Sequence, residues 1–235
     1  MASGIAMPGA AARSVAAVVP SAVSGAGWEA PALYLLVAFL LGSLPFALWV
    51  GRAARGIDVR HHGSGNLGAT NVLRVLGPGW GLLTLGLDIG KGWAAVALAP
   101  GWVDLPAAAA GGAWPLAGCA AAVLGHMFTP LARFRGGKGV AVTLGGFIGL
   151  APLAALAGAV GFVVTVAACR YVSLGSLVMA LILPAAAALV GPPPPVRWAV
   201  VGLGVVLALL VAWRHRANWG RIANGTESRF RWRNR

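Results

Sequence analysis

Residues 152–214 read PLAALAGAVGFVVTVAACRYVSLGSLVMALILPAAAALVGPPPPVRWAVVGLGVVLALLVAWR, and this stretch decides the fold. It holds three apolar runs, at about 152–169, 174–190 and 196–213, separated by a turn at Arg170 and by the proline run from Gly191 to Pro195. Its only charged residues are Arg170, Arg197 and Arg214, each at the end of a run. A helix needs about 20 apolar residues to cross the hydrocarbon of a bilayer, fewer where the bilayer is thin. The stretch therefore reads as three consecutive membrane helices.

Working outward, four more runs lie at about 31–51, 79–99, 112–131 and 139–150, giving an all-α polytopic membrane protein of about seven transmembrane helices. The run at 139–150 is short and glycine-rich, and only Gly149 to Pro152 part it from the next, so a tight hairpin is the alternative there. Composition agrees with a membrane protein. Of 235 residues, 59% are hydrophobic and 10% charged, against about a quarter charged in soluble domains. The net charge of +13 does not indicate a nucleic-acid partner, because the basic residues fall in short clusters between apolar runs.

Those clusters fix the topology. With seven spans and the N-terminus outside, one face receives Arg52, Arg55, Arg60, Arg74, Arg133, Arg135, Lys138, Arg170 and the seven arginines from Arg214 to Arg235. The other receives Arg13 and Arg197, beside Glu29 and Asp104. The positive-inside rule makes the crowded face cytoplasmic, whereas six spans would strand Arg170 or the tail outside. The outer loops, at Gly101 to Gly112, Pro152 and Gly191 to Pro195, carry no chemistry. Residues 1–30 read as a poorly ordered extension rather than a signal peptide, 31–229 as the membrane-integral domain and 230–235 as a basic tail. Cys119 and Cys169 lie in apolar runs without CxxC spacing and read as buried small hydrophobes.

Four polar stretches emerge on the crowded face. Gly63 to Arg74 (GSGNLGATNVLR) combines Gly63, Gly65 and Gly68 with Ser64, Asn66, Thr70, Asn71 and Arg74. Glycines let backbone amides approach a phosphate, Ser and Asn add neutral donors, and Arg adds a bidentate one. An ordinary capped turn has the same composition, and neither Walker nor dinucleotide spacing is present. Arg135 to Gly139 (RGGKG) sets Gly136, Gly137, Lys138 and Gly139 immediately before an apolar helix, whose free amides and dipole favour an anion. His126 precedes it without a second ligand at metal spacing and reads as a structural hydrogen bond. Arg170 to Ser176 (RYVSLGS) is the third stretch. In the fourth, Arg214 to Glu227 (RHRANWGRIANGTE), His215 and Asn218 project from one face of the last helix as it leaves the bilayer. Asp88 and Lys91 lie inside the second span on one helical face and read as a mutually neutralising pair rather than as catalytic groups.

At these residues the chain resembles the bacterial integral-membrane acyl-phosphate:glycerol-3-phosphate acyltransferase family over about residues 31–229. The family's SGN-x-G-x-x-N-x-x-R pattern falls on Ser64, Gly65, Asn66, Gly68, Asn71 and Arg74. Its GH-x-F…F-x-GGKGVA pattern falls on Gly125, His126, Phe128, Phe134 and Gly136 to Ala141. Its HR-x-N-x-x-R…G-x-E pattern falls on His215, Arg216, Asn218, Arg221, Gly225 and Glu227, and RY-x-S recurs at Arg170, Tyr171 and Ser173. Two departures, Pro130 displaced behind Thr129 and Trp219 in place of a common Ile, read as packing positions.

The resemblance implies seven helices in the bacterial cytoplasmic membrane. It also implies transfer of a fatty acyl group from acyl phosphate to the sn-1 hydroxyl of glycerol 3-phosphate, with the active site facing the cytoplasm. On this expectation Ser64, Arg74, Lys138, His215 and Asn218 are catalytic. Gly65, Asn66, Gly68, Asn71, Gly136, Gly137, Gly139, Ser173 and Glu227 bind substrate. The expected partners are acyl phosphate, glycerol 3-phosphate and membrane lipid. No cofactor or metal is expected, since five carboxylates in the whole chain supply no acidic cluster, and no GxSxG elbow is present. A non-catalytic organophosphate transporter is the alternative, although the chain lacks the internal repeats common among transporters.

Overall fold

Proline and glycine punctuate one continuous set of helices in the computed structural model, which describes residues 29–99 and 113–230. The expectations for residues 1–28, for the 101–112 loop and for the tail beyond Phe230 lie outside those residues. Among the described residues every regular element is helical. The first apolar run is two helices, α1 (Glu29–Ser43) and α2 (Phe46–Arg55), because Pro45 has no amide to continue the ladder and restricts Leu44 before it. A 3-10 turn (Val59–His61) leads through the first polar stretch to a short helix, α3 (Ala69–Leu76), and Pro78 in the first turn of α4 (Pro78–Ala97) starts the next long helix. Then follow α5 (Ala113–Met127), a 3-10 turn (Pro130–Ala132), α6 (Val140–Leu150), α7 (Pro152–Cys169), α8 (Val172–Val190), α9 (Val196–Arg214) and α10 (Arg216–Ala223).

Five segments are long and apolar enough to cross a membrane: Glu29–Arg55, Ala113–Ala132, Pro152–Cys169, Val172–Val190 and Val196–Arg214. The seven-span reading adds α4 and α6. At 1.5 Å per residue the 20 residues of α4 reach about 30 Å, the thickness of the hydrocarbon, whereas the 11 of α6 reach about 16 Å. Helix α6 turns at Ala151 directly into α7.

In lipid, helices gain little from hydrophobic burial against one another, so close backbone approach and packing hold the bundle together. Glycines make that approach possible. A Cβ at Gly145 of α6 would stand 1.9 Å from the Ile89 carbonyl oxygen of α4, and one at Gly92 of α4 2.2 Å from that of Val142. Gly42 and Gly125 join α1 to α5 in the same way, with a Cβ at either 2.1 Å from a backbone oxygen across the contact. The core they frame includes Ala122, Val123, Met127, Val142, Phe147 and Leu183. Leu36, Leu82, Val164, Leu181 and Leu209 are exposed on the outer faces, where lipid covers them. Cys119 is buried as expected, but Cys169 is exposed, because it is the last residue of α7 and lies beyond the packed part of that helix.

Candidate active site

The four polar stretches line one cavity of about 950 Å³. Ser64, Gly65, Asn66, Gly68, Asn71 and Arg74 come from the first, Lys138 and Gly139 from the second, Ser173 and Ser176 from the third, and Arg214, His215, Asn218, Arg221 and Glu227 from the fourth. Apart from Asp88 and His126, the rest of its wall is mainly apolar, with Leu85 and Ile89 of α4, Leu144 of α6, Phe162 and Val163 of α7 and Met179 of α8. Positive charge thus gathers at one end of a greasy slot.

The first stretch is organised by Asn71. Its Oδ1 accepts from the Ser64 amide at 2.8 Å and from the Ser64 hydroxyl at 3.1 Å, while its Nδ2 donates to the carbonyls of Val59 (2.8 Å) and His62 (3.1 Å). An amide side chain so bonded has both donors in use, and Asn71 is fully buried. Asn71 thus holds the loop, at a place on the cavity wall where it is expected to bind substrate. The glycine amides change role too. Gly65 donates to His62 O and Gly68 to Asn66 O, so these two close turns rather than form an open anion nest. Gly65 needs its glycine for a φ of 69°. Arg74, one turn from the end of α3, makes no hydrogen bond or ion pair among the described residues and lines the cavity with its fork unoccupied. Burial and the neighbouring Arg221 charge disfavour its protonated form, against attraction from Glu227.

In the second stretch Gly136 and Gly137 stand outside the large cavity, against His126. The Gly137 amide donates to His126 O at 3.1 Å, and Arg214 grips the carbonyls of Gly136 and Gly137, each at 2.8 Å. The Gly137 amide and both carbonyls are thus engaged in holding the loop. Gly139, at φ 80°, caps α6, and the first amides of that helix, at Val140 and Ala141, have no acceptor within it and lie on the cavity wall.

Lys138 donates to Asn218 Oδ1. Asn218 Nδ2 in turn donates to Glu227 Oε1 at 2.7 Å; the same oxygen accepts from the Ser173 hydroxyl at 2.8 Å, and Oε2 accepts from Arg221 Nε at 2.7 Å. Burial would push the Glu227 carboxyl up, but the bonds from Asn218, Arg221 and Ser173 outweigh it and keep it below its usual range. Glu227 and Ser173 thus form a clasp that aims Asn218, and both also line the cavity, where they are expected to bind substrate. Burial lowers Lys138 to about 8, with Arg221, Arg74 and Arg214 adding repulsion against the pull of Glu227.

His215 does not share a helix with Asn218. Helix α9 ends at Arg214, and His215 sits at the junction with α10, where its carbonyl accepts the Asn218 amide at 2.8 Å. Its Nδ1 lies 2.8 Å from Val211 O, which makes Nδ1 the protonated nitrogen and leaves Nε2 a lone pair. Burial, with Lys138 and Arg214 nearby, lowers its pKa to about 4, so the ring is neutral near pH 7. His126 forms no side-chain hydrogen bond among the described residues, contrary to expectation; its Nδ1 lies 3.8 Å from Asp88 Oδ1. Asp88 and Lys91 pair as expected, 2.8 Å apart. Among the described residues no group of three His, Cys, Asp or Glu is placed to hold a metal ion.

A profile of the glycerol-3-phosphate acyltransferase family matches residues 32–225. A glycerol-3-phosphate acyltransferase of Desulforudis audaxviator is 44% identical over 201 residues, 86% of this chain and 96% of the relative. One from Geobacillus kaustophilus is 43% identical over the same shares. The crystal structure of PlsY, an integral membrane glycerol 3-phosphate acyltransferase, in its glycerol 3-phosphate form superposes with a TM-score of 0.75 at 33% identity, covering 86% of this chain and 96% of that one. The lysophosphatidic acid form of PlsY gives the same TM-score at 32% identity. The chain belongs to the glycerol-3-phosphate acyltransferase family of integral membrane proteins.

Proposed function

We propose that this enzyme transfers a fatty acyl group from acyl phosphate to the sn-1 hydroxyl of glycerol 3-phosphate, releasing 1-acyl-glycerol 3-phosphate and phosphate for phospholipid synthesis. The observation that carries the reading is the single cavity with Arg74, Lys138, Arg214 and Arg221 at one end and the side chains of α4, α6, α7 and α8 along the rest. One amphipathic donor and one small anionic acceptor fit it together. Acyl phosphate is a mixed anhydride with a good leaving group, so the chemistry asks for two phosphates held close and a hydroxyl aimed at the carbonyl.

The hydroxyl oxygen bonds to the acyl carbon, the bond from that carbon to the phosphate oxygen breaks, and the departing phosphate takes the electron pair. The hydroxyl proton passes to a phosphate oxygen, directly or through His215 Nε2, the unprotonated ring nitrogen. Arg74 and Lys138 neutralise the phosphates, and Ser64, Asn66 and Asn218 orient them. The acyl chain lies along the apolar wall, which reaches the lipid-exposed side chain of Val163. In this reading the chain crosses the bacterial cytoplasmic membrane seven times and the cavity opens to the cytoplasm, beside the basic ends of the helices. Purified protein given acyl phosphate and labelled glycerol 3-phosphate should yield lysophosphatidic acid, and acyl-CoA should give none; efficient use of acyl-CoA would reject the assignment.

A further inference from the structure

Asp88 and His126 line both the large cavity and a second, small one of about 10 Å³ behind the Gly136–Lys138 loop. Membrane-depth ionisable groups are costly, and a pair that only cancelled its own charges would have no reason to sit at both cavities. Lys91 Nζ is held on three sides. It lies 2.8 Å from Asp88 Oδ1, donates to Leu44 O at the break between α1 and α2 at 2.8 Å, and stacks 5.4 Å from the Phe46 ring centre. The Lys91 ammonium is the close partner of this oxygen, which accepts no hydrogen bond from any other group among the described residues. His126 Nδ1 stands 3.8 Å from that same oxygen. The other edge of the ring is the floor of the loop: a Cβ at Gly137 would come within 2.2 Å of His126 Nε2, and one at Gly136 within 2.0 Å of His126 O.

We propose that Asp88 is a positioning residue that orients the His126 ring, and that the ring in turn sets the height of the Gly136–Gly137 loop and so the place of Lys138 in the large cavity. The carboxylate attracts the Nδ1–H tautomer and fixes the ring plane, while Lys91 anchors the carboxylate to the break in the first span. Neither Asp88 nor His126 takes part in the chemistry. A displacement of about 1 Å at a reacting centre costs about a hundredfold, which sets the scale expected.

The inference rests on the acyltransferase reading above. Wild-type protein that makes no lysophosphatidic acid counts against that reading, whereas the ratio of variant to wild-type rates tests this one. His126→Asn adds no charge at membrane depth. It should keep the wild-type melting midpoint in detergent and lower kcat/KM about a hundredfold; wild-type kinetics would overturn the proposal. Asp88→Asn should give the same loss, and the double variant Asp88→Asn/His126→Asn no more than either alone, whereas multiplied losses would overturn it. The neutral pair Asp88→Asn/Lys91→Gln covers the case in which Asp88→Asn alone does not fold. Under this proposal it stays as impaired as His126→Asn, and recovery of wild-type kinetics would reduce Asp88 to a counter-ion.

Discussion

At Lys138 two demands meet: the ammonium must be charged to hold a phosphate, yet burial among Arg74, Arg214 and Arg221 favours its neutral form. Its pKa of about 8 means that raising the pH through 8 removes the charge from the free enzyme. For anionic substrates kcat/KM should therefore fall on the alkaline side with a midpoint near 8, and the residual activity of Lys138→Arg should lack that limb, because guanidinium does not titrate there. An identical alkaline limb in Lys138→Arg would assign it to another group. Lys138→Ala should cost about a hundredfold or more in kcat/KM, as for loss of one transition-state charge contact. The sequence made Arg74, Lys138 and His215 legible, because a cation or a histidine at the end of an apolar run has few structural uses. It did not show that Asn71, Ser173 and Glu227 are bonded within the protein, as Lys138, His215 and Asn218 also are. Which side chains already have partners is a three-dimensional fact, invisible in spacing.

The long apolar runs were legible as helices, and α7, α8 and α9 end within a few residues of the segments read from their punctuation. The break at Pro45 was not, because leucines and alanines continue on both sides of it. The short helices α3 and α10 hid inside glycine-rich polar stretches, although Val72, Leu76 and the Gly77–Pro78 stop mark α3 in retrospect. Nor did spacing show that the glycines of α4 and α6 face each other. That contact carries a prediction. Gly145→Ala would set a methyl group 1.9 Å from Ile89 O, so α4 and α6 must part. The variant should melt well below wild type in detergent, whereas Gly86→Ala, where nothing lies within 4 Å, should not; equal midpoints would mean the two helices are not in backbone contact.

Across the whole molecule, charge asymmetry separates a basic set of segment ends from nearly uncharged helices. Every cation of the cavity belongs to the basic face deduced from the sequence, and the helices between are nearly free of charge. The proposed seven-span topology puts the C-terminus on that face. A reporter fused after Arg235 should be active only inside the cell, and a periplasm-active reporter would overturn the seven-span topology. Truncation before Arg214 should abolish acyl transfer while the spans still insert, since His215, Asn218 and Glu227 would all be removed.

In the proposed mechanism side-chain cations and helix amides hold both phosphates and acyl phosphate reacts directly, with no metal required. The most direct test is the initial rate at which purified protein converts acyl phosphate and labelled glycerol 3-phosphate to lysophosphatidic acid in excess chelator, measured before and after adding magnesium beyond the chelator. The enzyme should be fully active in chelator and gain nothing from magnesium; an enzyme silent in chelator and restored by magnesium would overturn the metal-free mechanism.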